Sequence, residues 1–136
     1  MSNIATIAVS GMNAASRRLE VSASNIANIR STGALPNADG TTPAGALRAY
    51  EPIVLVQTAR AGGGTRTAIA PVTPPVTAMS DPQAPFADQN GLVAAPNVDL
   101  SQEIVGQMIA SYSFAANAQV LKADDRMTRT LLDTLA

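Results

Sequence analysis

Apolar residues near the start of the chain recur in alternating steps of three and four. Positions 5, 8, 12, 15, 19, 22, 26 and 29 carry Ala5, Ala8, Met12, Ala15, Leu19, Ser22, Ile26 and Ile29, and only Ser22 is polar. This is a heptad seam, and it predicts a helix over 3–29 that lies along a partner helix. Its first half is small residues, so a partner backbone can come close. Ser10, Asn13, Arg17, Glu20 and Ser24 fall on other faces. Gly33 and Pro36 follow as a stop.

A second stripe closes the chain. Val105, Ile109, Tyr112, Ala116, Val120, Ala123, Met127, Leu131 and Leu135 are spaced by three or four throughout, predicting a helix over 99–135. Asp99 is an N-cap and Gln102 stands three residues later, as in a capping box. Two striped helices at opposite ends of one chain are expected to pair antiparallel, since neither leaves its apolar face wet.

Between them the pattern breaks. All nine prolines lie from Pro36 to Pro96, and no long helix survives that density. The expected segments there are a strand within 47–58 with Pro52 at an edge or bulge, and a strand over 65–70 after the Gly62-Gly63-Gly64 turn. A tight turn is expected at Asn90-Gly91. Residues 31–45 are polar and turn-rich. The fold class is therefore mainly α: an N-terminal coiled-coil helix (1–30), a Pro/Gly-rich loop and short-strand insert (31–96), and a C-terminal coiled-coil helix (97–136) that pairs with the first.

Composition changes this picture in one respect. Hydrophobic residues make up 46% of the chain, yet aromatic residues are only 3% and Trp is absent. Large rings supply much of a compact core's buried area. An Ala-rich, ring-poor chain buries its stripes against other copies or other proteins.

Candidate chemistry is sparse. With no His and no Cys, the usual catalytic triads, thiolate sites and disulfides are excluded, and no cofactor or metal is expected. Asp124-Asp125 is an adjacent pair that points to different helix faces and reads as solvated surface. Gly62-Gly63-Gly64-Thr65 lacks the Gly-Lys-Ser/Thr ending of a phosphate loop and reads as a flexible turn. A net charge of −1 with scattered arginines gives no nucleic-acid footprint. No small-molecule substrate, direct membrane insertion, cleaved signal peptide or enzymatic activity is expected.

The run Ala23-Ser24-Asn25-Ile26-Ala27-Asn28 resembles the N-terminal signature of the flagellar rod and hook axial proteins. A second block carries Asp81-Pro82, Pro85, Ala87-Asp88, Gly91 and Pro96-Asn97-Val98-Asp99. It resembles the segment that leads into the last helix of proximal-rod members of that family. Gly64-Thr65-Arg66-Thr67-Ala68-Ile69 is similar to the family's short strand, and Ala115-Ala116-Asn117-Ala118 to a piece of its last helix.

The resemblance implies a structural subunit of the flagellar basal body, exported by the flagellar type III apparatus without a cleaved signal. It implies helical assembly with copies of itself and other rod subunits into a periplasm-spanning rod. That rod forms the export channel wall, transmits motor torque and supports motility. Another axial subunit, or a soluble coiled-coil adaptor or export chaperone, are the alternatives. The expected assembly residues are Ala5, Ala8, Met12, Ala15, Leu19, Asn25, Ile26, Asn28 and Ile29 on the N-terminal segment. Pro96, Asn97 and Asp99 follow at the junction, then Val105, Ile109, Tyr112, Ala116, Val120, Met127 and Leu131 on the C-terminal segment.

Overall fold

The computed structural model of the chain describes residues 3–37 and 40–135, leaving aside the side chain of Leu135. Positions 1, 2, 38, 39 and 136 of the expected segments, and the last member of the C-terminal stripe, lie outside the described residues. Six elements follow in order: α1 (Asn3–Ala27), β1 (Ile53–Ala59), β2 (Thr65–Pro71), β3 (Val76–Ser80), β4 (Leu92–Pro96) and α2 (Leu100–Leu135). The two terminal helices are where the patterning predicts them, and two small two-stranded sheets make the chain mixed and helix-rich, where the expectation is mainly α.

Helix α1 has 25 residues and α2 has 36, about 37 and 54 Å of helix at ~1.5 Å per residue. Helix α1 stops at Ala27, two residues before the end of its seam. Asn28 turns its side-chain amide back to the Ser24 carbonyl at 2.9 Å, satisfying one of the last turn's acceptors. Helix α2 begins where the cap predicts. The Asp99 Oδ1 accepts from the backbone N–H of Ser101 at 2.8 Å and of Gln102 at 3.1 Å. Replacing Asp99 by Ala is expected to cost about 1 kcal/mol, read as a lowered urea midpoint.

The described residues fall into two compact units. One comprises 3–21, 55–69 and 104–135; the other comprises 22–37, 40–54 and 70–103. In the first, strands β1 and β2 continue into a hairpin whose tip lies on α1. Gly62, Gly63 and Gly64 all have positive φ. A Cβ on Gly63 would fall 2.7 Å from Cδ1 of Ile7, and one on Gly64 would collide with Oγ of Ser10. Ser10 holds the tip in place. Its Oγ donates to the Ile7 carbonyl at 2.7 Å and accepts from the N–H of Thr65 at 3.1 Å. Arg18 adds a hydrogen bond from Nη2 to Oε1 of Gln57 at 3.2 Å.

The second unit is centred on β4. Strand β3 pairs with it antiparallel, Val76 opposite Pro96 and Ser80 opposite Leu92. On the other side Gly33 and Ala94 exchange both backbone hydrogen bonds, at 3.0 and 2.9 Å. Flanked on both edges, β4 is the most buried strand, and Val93 is fully enclosed. The Asn90-Gly91 turn delivers the chain into β4. Asp88 stabilises it, accepting from the N–H groups of Leu92 and Asn90, each at 2.8 Å. The Leu92 bond, more than the Asn90 bonds, holds the Asp88 carboxyl below its usual range.

Candidate functional site

The expected site is the pair of apolar stripes, and the two are placed differently. On α1 the seam is covered. Ala5, Ala8 and Ala15 are buried, and Met12, Leu19 and Ile26, with Ile29 just beyond the helix, are half-buried. On α2 the stripe faces outward. Val105, Ile109, Tyr112, Val120, Met127 and Leu131 are 46–77% exposed, and Ala116 is exposed with them. The expected meeting of one stripe with the other is not what the chain adopts.

A different row of α2 turns inward. Within the first unit it includes the buried Ala110 and the half-buried Ser113, Asn117 and Leu121, at steps of three and four. Ala110 is 1% exposed. A Cβ on Gly11 would lie 2.6 Å from Oδ1 of Asn117, so the Asn117 amide occupies the space that glycine leaves open there. Asn117 keeps its own amide satisfied by donating to the Ser113 carbonyl at 2.8 Å. Ala14 and Ala15 share a narrow cleft with Ala110, while Ala5 shares a groove with Leu121 and Thr128. Ascending positions on α1 thus meet descending positions on α2.

Asn25 and Asn28, from the N-terminal signature, have separate roles. Asn28 caps α1 as described. Asn25 is 2% exposed and makes four hydrogen bonds inside the second unit. Its Nδ2 donates to the Ile53 carbonyl at 2.8 Å and to Oε1 of Glu103 at 2.6 Å. Its Oδ1 accepts from Oη of Tyr50 at 3.1 Å and from the N–H of Ile53 at 3.2 Å. Two serines flank it: Ser24 bonds the Tyr50 hydroxyl at 3.0 Å, and Ser22 donates to the Glu103 carbonyl at 3.0 Å. Tyr50 and Glu103 do not stand out in the sequence as functional; a Tyr three residues before a strand gives no local signal of its partner.

Pro96, Asn97 and Asp99 act in succession. Pro96 ends β4 and is buried. Asn97 donates from Nδ2 to the Pro74 carbonyl at 2.9 Å and from its backbone N–H to the Pro75 carbonyl at 3.0 Å. Asp99 caps α2. The block is a joint that ends one element, ties down its flank and starts the next. Among the described residues no three His, Cys, Asp or Glu side chains gather to hold a metal, and no helix is long and apolar enough to cross a membrane.

Comparison with known proteins bears on both ends of this arrangement. Residues 6–34, covering most of α1 and the signature, match the family described as flagella basal body rod protein. Residues 89–134, covering the joint and α2, match the C-terminal family of the flagellar basal body rod FlgEFG proteins. The flagellar basal-body rod protein FlgC of Salmonella typhimurium is 39% identical over 95% of this chain and 94% of its own length. FlgC of Yersinia enterocolitica is 39% identical over 88% of this chain and 86% of its own. FlgC of Agrobacterium fabrum is 31% identical over 99% and 95%. The likeness runs through the hairpin, the joint and both helices, and on that ground the chain belongs to the FlgC family of flagellar basal-body rod proteins.

Proposed function

We propose that α1 and α2 form an antiparallel coiled coil within each copy, and that the outward stripe of α2 is the surface by which copies and other rod subunits assemble. As a FlgC-family member the chain is a structural subunit of the flagellar basal-body rod. The observation that supports the assembly surface is the exposure of one continuous apolar row along α2, from Val105 to Leu131. A row of that length is far more apolar surface than an isolated chain leaves wet without a partner.

A row on one face of a subunit meets a different surface on the next copy. Such heterologous contacts build an open helical filament when they do not close into a ring. Packed side by side, the helices would form the inner wall of the proximal rod, through which later subunits are exported, and close-packed interfaces would carry torque. Copies would reach that site across the periplasm through the flagellar type III apparatus, without a cleaved signal. No step of this role calls on catalysis or a cofactor.

The test is complementation of an in-frame deletion. The deletion is expected to give non-motile cells lacking hook and filament, restored by the gene in trans. Ala116→Asp places a carboxylate in the middle of the outward stripe and is expected to abolish swimming. The purified Ala116→Asp chain should keep the helical circular dichroism of the parent, since the site is solvated in the single subunit. Normal swimming by Ala116→Asp cells would remove the stripe from the assembly surface.

A further inference from the structure

We propose that Asn90 is a deamidation site masked by the fold: the turn closed by Asp88 holds the Asn90-Gly91 pair away from the ring closure that would convert Asn90 to aspartate or isoaspartate. The inference rests on this turn alone and not on the rod role.

Asn90 is the one asparagine of the chain that is followed by glycine. The reaction needs no partner but water. The Gly91 backbone nitrogen gives its proton to solvent and attacks the carbonyl carbon of the Asn90 side chain. The carbon–nitrogen bond of that side-chain amide breaks, and ammonia leaves with a proton taken from water. The cyclic imide then adds one water and opens at either carbonyl, to aspartate or to isoaspartate. Glycine favours the step because no Cβ hinders the approach of its nitrogen. The fold requires that glycine for another reason. Gly91 has a φ of 74°, in the left-handed region, and a Cβ there would lie 3.0 Å from Cγ of Pro82. The turn thus builds a susceptible pair, and it does so with Asn90 exposed to water.

Asp88 restrains both reacting groups. Its backbone carbonyl accepts from the N–H of Gly91 at 3.0 Å, so the attacking nitrogen is engaged as a donor. Its Oδ2 accepts from Nδ2 of Asn90 at 3.4 Å, so the leaving amide is drawn to the same residue. Its Oδ1 accepts from the N–H groups of Asn90 and Leu92, and its own N–H donates to the Leu92 carbonyl at 2.9 Å. A hydrogen-bonded backbone amide gives up its proton from opened states, so ring closure follows the opened fraction of the turn. The damage would fall on β4. Isoaspartate adds a methylene to the main chain just ahead of Gly91, whose carbonyl accepts from the N–H of Asp81 at 2.9 Å. The next residue, Leu92, pairs with Ser80 at the start of the β3–β4 ladder.

The purified full chain is incubated in mildly alkaline buffer, folded or in guanidinium chloride. The peptide that holds Asn90 is followed by mass spectrometry for replacement of an amide by an acid. The denatured chain should be modified at Asn90 at least about tenfold faster than the folded chain. Asp88→Ala, shown to be folded by circular dichroism, should recover most of that acceleration. In guanidinium chloride it should match the parent to within about twofold, since no turn is left to open. Asp88→Asn keeps an acceptor oxygen in place and should stay within about threefold of the folded parent.

Equal rates in the folded and denatured parent would overturn the mask, and a denatured chain unreactive at Asn90 would overturn the site. A folded Asp88→Ala chain as slow as the parent would remove Asp88's side chain from the mask. Should Asp88→Ala lose its fold, Asp88→Asn decides: a folded Asp88→Asn chain that reacts at the denatured rate overturns the part given to the acceptor oxygen. The readout involves no motility, so it stands apart from failure of the assembly surface.

Discussion

Ala8→Asp is expected to unfold the first unit rather than merely weaken it. Ala8 lies on the covered seam of α1 with 1% of its surface exposed. A carboxylate placed there either stays ionised without a partner or binds a proton against its usual preference. The cost is expected to be about 3 kcal/mol or more, against a total of roughly 5–15 kcal/mol for a domain. Urea denaturation followed by circular dichroism would show a midpoint well below the parent, with Ala8→Ser much closer to it. A shift of under about 1 kcal/mol would mean that α1 and α2 are not packed as described. Set beside Ala116→Asp, the same change in chemistry has opposite consequences. At position 8 it is expected to unfold the subunit, and at position 116 to leave it folded while blocking the proposed assembly surface.

Gly33→Ala is expected to cost nearly as much, for a reason of shape alone. Gly33 is buried and bonds Ala94 through both backbone groups. A Cβ there would press on the Ala49 nitrogen and lie 2.5 Å from the Arg48 carbonyl carbon and 2.6 Å from the Leu47 oxygen. All three are backbone atoms, and the Leu47 carbonyl is itself held at 2.8 Å by the N–H of Ala34. None moves without breaking a bond that pins the segment beside β4. About 3 kcal/mol of destabilisation is expected, seen as a drop of several degrees in Tm. An unchanged Tm would mean that 47–49 does not lie against Gly33.

Both helices are legible in the sequence because their information is local. Every proline lies between 36 and 96, the stripes run in steps of three and four, and Asp99 marks the start of α2. The hairpin is legible too, since Gly62-Gly63-Gly64 separates two strand-forming runs. Strand β3 is not. Val76–Ser80 follows Pro71, Pro74 and Pro75 and reads as connector, and it is a strand because β4, distant in sequence, pairs with it.

The direction of α2's stripe was equally beyond local reading. Periodicity says which face is apolar but not where that face looks. That depends on contacts such as the fit of Asn117 to Gly11, which spans much of the chain. The small row Ala110, Ser113 and Asn117 is the sequence signal of the inward face, overshadowed by bulkier neighbours.

The joint at 96–99 carries a constraint on length that is separate from the identity of its residues. Each residue of an α-helix advances the angular phase by about 100°. Inserting or deleting one residue between the end of β4 and the Asp99 cap would rotate the first turn of α2 by that angle against β4. Glu103 would then be carried away from Asn25 and Ser22, although every side chain of that network remained in the sequence. Changes in length are therefore expected to be tolerated in stretches such as 31–45, while the spacing from Pro96 to Asp99 works as a fixed gear between a strand and the helix that follows it.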